Sequence, residues 1–228
     1  MTEAALGLDF SPSVIIEYMP ALLRGLRTTI LLSLLCIVIG LVLGFFVGLM
    51  RNSRRKLLYV PSTVFVEFFR GTPVLIQLFW MFFCLPLVLQ IDLGIFLSAV
   101  IALSLYMTAL ASEAFRSALL TIGAEQKDAV VALGLPARVS LLHVILPQAL
   151  IRAIPNLLSN SVTLFKESAL VSAVGMADLM FQGESISNAT ARPLEVLTTV
   201  AFMYFAVGFP LTQVVSRVER RILRRMAI

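Results

Sequence analysis

Apolar residues fall in long uninterrupted blocks along this chain, separated by short polar stretches, and each block is read against the roughly 20 residues a helix needs to cross a hydrocarbon core. Thr28 to Met50 contains no charge and predicts a first span at about 28–50. Leu57 to Leu89 is too long for one straight crossing and holds Glu67, Arg70, Gly71 and Pro73. It reads as an approach segment, a break at Gly71-Thr72-Pro73 and a span at about 73–90, because proline removes a helical hydrogen bond and kinks the chain. Three further blocks predict spans at about 95–112, 154–176 and 194–215, the fourth carrying Lys166 and Glu167 inside it. The fold class expected is an all-α integral membrane protein of five transmembrane helices.

Composition agrees with this reading. Of 228 residues 59% are hydrophobic and 14% charged, against about a quarter charged in soluble domains. The net charge of +5 is not evenly spread. With the N-terminus outside, thirteen of the eighteen Lys and Arg residues lie in cytoplasmic segments, leaving +9 inside and −4 outside. Basic residues orient membrane proteins in this sense. The positive charge therefore reports topology and implies no nucleic-acid partner. Residues 1–25 form an extracytoplasmic N-terminal segment, without the basic start or cleavage site of a signal peptide, 26–217 the transmembrane domain and 218–228 a basic cytoplasmic tail.

One loop, 113–152, is long and hydrophilic. It predicts two short helices, Glu125 to Leu133 and Ala137 to Leu146, joined by Gly134-Leu135-Pro136. Glycine ends the first in a left-handed conformation, proline suits the opening turn of the second, and Pro147 stops it. The element carries Val130, Val131, Leu133, Leu141, Leu142 and Val144 with few charges to solvate them. It either docks into a groove on another subunit or folds against its own spans.

Asp128-Ala129-Val130, then Gly134, then Val144-Ile145-Leu146-Pro147, resembles the EAA motif of ABC-importer membrane subunits, with Asp128, Val130 and Val144 departing conservatively from it. The segment Val66 to Leu78, centred on Arg70-Gly71-Thr72-Pro73, resembles polar amino acid permeases of the histidine, glutamine and glutamate type, as does Lys166-Glu167-Ser168-Ala169-Leu170-Val171-Ser172 followed by Gly175 and Ala177-Asp178-Leu179. The resemblance, to type I ABC importer permeases, implies a bacterial inner-membrane transport subunit whose loop is a coupling helix between spans three and four. It assigns ATPase coupling to Asp128, Ala129, Gly134, Leu146 and Pro147. The implied partners are an ABC ATPase dimer holding ATP and Mg, a second permease subunit, identical or paralogous, and an extracytoplasmic amino acid-binding protein. No cofactor is expected on this chain.

Individual residues sharpen the picture. Glu67 and Arg70 are three apart and predict an ion pair, structural or part of a hinge with Gly71 and Pro73, where the backbone can approach a neighbour. Lys166 and Glu167 are charges within a span, which face a cavity, a fixed partner or an ion path. With Asn160, Thr163 and Ser168 they are candidates for the substrate pathway; satisfaction by fixed partners is the competing reading. Gly40, Gly44 and Gly48 form two GxxxG steps, a packing signal. Cys36 and Cys84 read as two buried small side chains, and His143, the only histidine, cannot build a multi-histidine metal site. No P-loop signature is present, and no catalytic constellation, so the chain reads as a transport subunit rather than an enzyme. An importer for another small solute, or an ion-coupled secondary transporter, are the alternatives.

Overall fold

The computed structural model describes residues 12–122, 126 and 132–226. Within them the chain is helical, without a strand. The helices are α1 (Pro12–Arg51), α2 (Lys56–Gly71), α3 (Val74–Leu89), α4 (Gly94–Leu120), α5 (Leu146–Glu167), α6 (Leu179–Thr190) and α7 (Pro193–Met226). Four are long and apolar enough to cross a bilayer. The fifth expected crossing is not one rod. Helices α2 and α3 meet at a bend of 108° at Gly71-Thr72-Pro73, and neither alone reaches 20 residues. The break expected there is present, but the second span is a broken pair.

Helices outrun the expected boundaries: α4 continues to Leu120 and α5 begins at Leu146, which shortens the expected 113–152 loop from both sides, and α7 continues through most of the expected tail to Met226. Helix α1 runs 40 residues, back to Pro12, about 60 Å at 1.5 Å per residue, so part of the expected N-terminal segment continues the first span. The reason is an amphipathic repeat: Val14, Tyr18, Leu22 and Leu26 lie on one face and pack with Leu179, Ile186, Val196 and Val200 of α6 and α7. Pro147 does not stop a helix. A π turn at Ser140–Ile145 leads into α5, with Pro147 in its first turn. The wider turn relieves the clash of the proline ring with the carbonyl four residues back. The far end of α5 tightens into a 3₁₀ turn, Ser168–Val174, closed by Gly175 at φ +83°.

The core is set by the glycine ladder of α1. A Cβ at Gly40, Gly44 or Gly48 would fall within 3.0 Å of Met107, Ala111 and Phe115 respectively. The register rises together on both helices, so α1 and α4 run parallel and the α2–α3 pair must return the chain between them. Around this seam Leu32, Cys36, Leu78, Leu103, Met107 and Val171 form the main buried cluster. The GxxxG signal thus packs helices within the subunit. Cys36 is buried as expected; Cys84 is exposed, because it lies in the π turn of α3, none of whose residues is buried.

Candidate functional site

Three features converge on one end of the bundle. The first is a charge network. Arg51 ends α1, one turn beyond Gly48, and the close α1–α4 seam carries it beside Glu113 of α4. Its guanidinium is 4% exposed and pairs with Glu113 through Nη1 and with Glu67 through Nη2 at 3.2 Å. Glu113 also receives Arg70 at 3.4 Å and Arg116 at 3.5 Å. The ion pair expected between Glu67 and Arg70 is therefore absent. Each reaches a different helix instead, because a buried arginine and a three-cation carboxylate lie closer to hand. Neither Arg51 nor Glu113 stands out in the sequence; the glycine register is the signal that could join them.

The second feature is a polar face on α5. Asn156, Asn160, Thr163 and Glu167 follow one another at helical spacing. Arg70, Glu113, Ser117, Asn156, Ser159 and Asn160 line a cavity of about 200 Å³, where Asn160 Nδ2 donates to the Leu110 carbonyl at 3.2 Å. Thr163 is exposed and Glu167 half-buried. Tyr106 of α4 lies within electrostatic reach of both Glu167 and Arg70. Lys166 is exposed and diverges from Glu167, lining a second cavity of about 410 Å³ with Ala169, Met180, Leu197, Val200 and Tyr204. Ser168 is fully buried, its Oγ 3.1 Å from Ser33 Oγ on α1 and donating to the Phe165 carbonyl at 2.8 Å. It belongs to the packing between α1 and α5 rather than to the open face.

The bend between α2 and α3 is the third. No atom of the described residues lies within 4 Å of where a Cβ on Gly71 would sit, so no close backbone approach is made there within this chain. Gln77, buried in α3, holds the bend: its Nε2 donates to the Phe69 carbonyl at 2.8 Å and reaches the Thr72 carbonyl at 3.0 Å. A helix broken inside a bilayer leaves carbonyls that only protein can satisfy, and Gln77 is placed to do so. Pro73 then opens α3.

Below these features lies the loop. Asp128, Ala129 and most of the expected helix from Glu125 to Leu133 fall outside the described residues. Gly134 adopts φ +62°, the left-handed conformation expected of it, and Ser140 N donates to the Pro136 carbonyl to start the next turn. Leu133 is 73% exposed, and Val139 and Leu142 are exposed beside it. Leu146 is half-buried and Pro147 exposed. Arg152 Nη1 donates to the Thr121 carbonyl, and Leu119, Ile122 and Ala149 form a buried cluster with Leu49 and Ile145 beside it. The two ends of the loop are thereby tied to each other and to α1.

At the opposite end Asp178, fully buried, caps α6 by accepting from Phe181 N at 2.9 Å and from Tyr204 Oη at 3.3 Å. Burial pushes its carboxyl up to about 6, against the hydrogen bonds from Phe181, Met180 and Tyr204. Thr29 Oγ1 accepts from Leu179 N beside it.

Known proteins resemble this chain in sequence and in fold. The arginine transport system permease protein ArtQ of Bacillus subtilis (strain 168) is 34% identical, over 95% of this chain and 98% of its own. The glutamine transport system permease protein GlnP of Escherichia coli (strain K12) is 33% identical, over 94% of this chain and 98% of its own. A solved structure of an amino acid ABC transporter with histidines superposes with a TM-score of 0.88 at 30% identity, covering 94% of this chain and 99% of that one. The MetNI methionine ABC transporter in inward-facing form shares the fold, with a TM-score of 0.77 at 24% identity, over 90% of this chain and 98% of that one. Residues 37–224 match the family model of the binding-protein-dependent transport system inner membrane component. With that match spanning most of a multi-pass helical bundle, the chain belongs to the family of binding-protein-dependent transport system inner membrane components.

Proposed function

We propose that this chain is the membrane subunit of an ATP-driven importer that carries a polar amino acid into the cytoplasm of a bacterium across its inner membrane. The observation that carries the reading is the open polar face of α5, Asn156 to Glu167, flanked by Arg70 and Glu113 inside an otherwise apolar bundle. Charges and amides within a span are expensive unless they face water or a polar cargo, and a zwitterion suits a path that offers both signs. Asn160, Thr163 and Glu167 line that path. Lys166 sits at its edge, and Ser168 supports it from behind.

The N-terminus lies outside and the basic end of α7 inside. The segment between α4 and α5 then meets an ATPase dimer, which binds ATP and Mg. Exposed Leu133, Val139 and Leu142 offer the apolar contact, with Asp128, Ala129, Gly134, Leu146 and Pro147 shaping it. Because Arg152 ties the loop to the end of α4, a push on the loop moves α4 and α5 together, and with them the polar face. A second permease subunit, identical or paralogous, completes the path, and an extracytoplasmic binding protein delivers the amino acid.

Reconstitution with the ATPase and binding protein, followed by uptake of labelled amino acids, tests this. Glu167→Ala should lower uptake by roughly tenfold or more while the complex still assembles, since a charge on the polar face that contributes on the order of 1.4 kcal/mol to holding the cargo corresponds to that factor. A well-assembled Glu167→Ala complex with normal uptake would remove Glu167 from the pathway.

A further inference from the structure

Helix α7 does not end where its apolar stretch ends. The uncharged stretch of α7, Val196 to Ser216, ends just before Arg217, while the helix runs on to Met226 and carries arginines past that boundary. Arg217, Arg220, Arg221 and Arg224 are spaced by three, one and three residues, which places them on one face of the helix. Together they line a cavity of about 400 Å³. All four are exposed, and none forms an ion pair with a carboxylate among the described residues. Like charges at i,i+4 destabilise a helix, a strain that a bound anion would relieve. The helix dipole does not explain it. That effect falls off within the last turn, whereas Arg217 and Arg220 lie more than one turn before Met226.

The same face changes character toward the bilayer. Val214 and Pro210 precede Arg217 by three and seven residues, and both are exposed. A single stripe thus offers apolar surface at hydrocarbon depth and four guanidinium forks at headgroup depth. Guanidinium forks match phosphate oxygens in pairs. We infer that the end of α7 is a binding site for an anionic phospholipid, its phosphate held by Arg217, Arg220, Arg221 and Arg224 and its acyl chain lying along Val214 and Pro210. The inference rests on α7 crossing the membrane and is independent of which solute the protein carries.

The test uses the purified complex in mixed micelles holding equal amounts of phosphatidylglycerol and phosphatidylcholine, with bound lipids counted by native mass spectrometry. Phosphatidylglycerol should be retained over phosphatidylcholine by about tenfold, and the R217Q/R220Q/R221Q/R224Q variant should lose that preference. The R54Q/R55Q/K56Q variant removes charge from another helix boundary and leaves this cavity intact, so it should keep the preference. An unchanged preference in the first variant, or equal loss in both, would overturn the site. A four-lysine variant preserves charge and helix if the glutamine variant does not assemble. It should bind several-fold more weakly, and unchanged retention would refute a site built for phosphate forks. Soluble glycerophosphoglycerol should compete poorly; competition equal to the lipid's would refute the acyl part. Loss of a copurifying protein from the glutamine variant, with lipid retention intact, would assign the stripe to a protein surface instead.

Discussion

Glu113 is the acceptor that Arg51, Arg70 and Arg116 share, and its neighbour Glu67 serves Arg51 alone. The two carboxylates differ in exposure, 29% against 60% for their side chains, and this decides their weight. Removing a partner from a buried arginine is costly because the charge is left uncompensated, whereas exposed pairs contribute little. Glu113→Gln should therefore lower stability by roughly 2–4 kcal/mol and Glu67→Gln by about 1 kcal/mol or less, read as thermal unfolding in detergent. Equal losses would mean that Arg51 is held by its packing and not by Glu113. Asp178 presents the opposite case, a carboxyl whose burial opposes its ionisation. Its proton is held up to about pH 6 in the folded protein, while the unfolded chain releases it near the usual value of about 3.9. The native state binds more protons between those values, so stability is greatest below the lower one, falls as pH rises to about 6 and is flat above. The drop amounts to roughly 3 kcal/mol. Unfolding measured from pH 4 to 7 should show this slope, and Asp178→Asn should flatten it while keeping an α6 cap.

Glycines mark where elements approach, and the structure separates two kinds that look alike in sequence. At Gly44 a Cβ would lie 2.5 Å from Ala111 Cβ and 2.9 Å from the Thr108 carbonyl, both parts of a rigid helix that cannot give way. At Gly71 nothing lies within 4 Å and φ is negative. Gly44→Ala should thus separate α1 from α4 and destabilise by about 1–3 kcal/mol. Gly71→Ala should be neutral or stabilise by up to about 1 kcal/mol through the unfolded chain. Parallel thermal scans of the two variants check the contrast; a destabilised Gly71→Ala would restore glycine to the hinge. The spans are legible in the sequence because apolar blocks of bilayer length have one physical outcome. Pairings are not, since Arg51 and Glu113 are 62 residues apart and meet only through the α1–α4 register. Gln77 lies within a recognisable motif yet carries no signal of its own, because its task is to satisfy carbonyls that exist only once the helix has broken. The helical start at Pro12 is hidden for a different reason: Glu17, Pro20, Arg24, Gly25 and Arg27 interrupt the apolar run ahead of Thr28, and only the packing of Val14, Tyr18 and Leu22 on α6 and α7 carries the helix across them.

At the scale of the molecule, the proposed function makes the bundle a lever with its load and its handle at different places. The polar face of α5 lies among the spans, and Gly134 lies in the exposed loop that precedes them. Between the two stand the π turn at Ser140–Ile145, the Arg152 bond to Thr121 and the buried cluster of Leu119, Ile122 and Ala149. A force on the loop would reach α4 and α5 through these contacts, so loop and polar face form one mechanical unit. Gly134 is where the loop chain turns, at φ +62°, and proline, locked near −65°, cannot adopt it. No described residue lies within 4 Å of the Gly134 Cβ position, so Gly134→Pro should reshape the loop without disturbing the spans. In the reconstituted complex it should abolish ATP-driven uptake while thermal unfolding of the membrane subunit stays within about 0.5–1 kcal/mol of the parent. Arg152→Leu should act one step further along. The loop keeps its shape and its hold on the ATPase, but the tie to α4 is lost, so ATP hydrolysis should continue with uptake reduced several-fold. Unimpaired uptake by Gly134→Pro would mean that energy enters elsewhere, and parallel loss of hydrolysis and uptake in Arg152→Leu would place Arg152 in the ATPase contact itself.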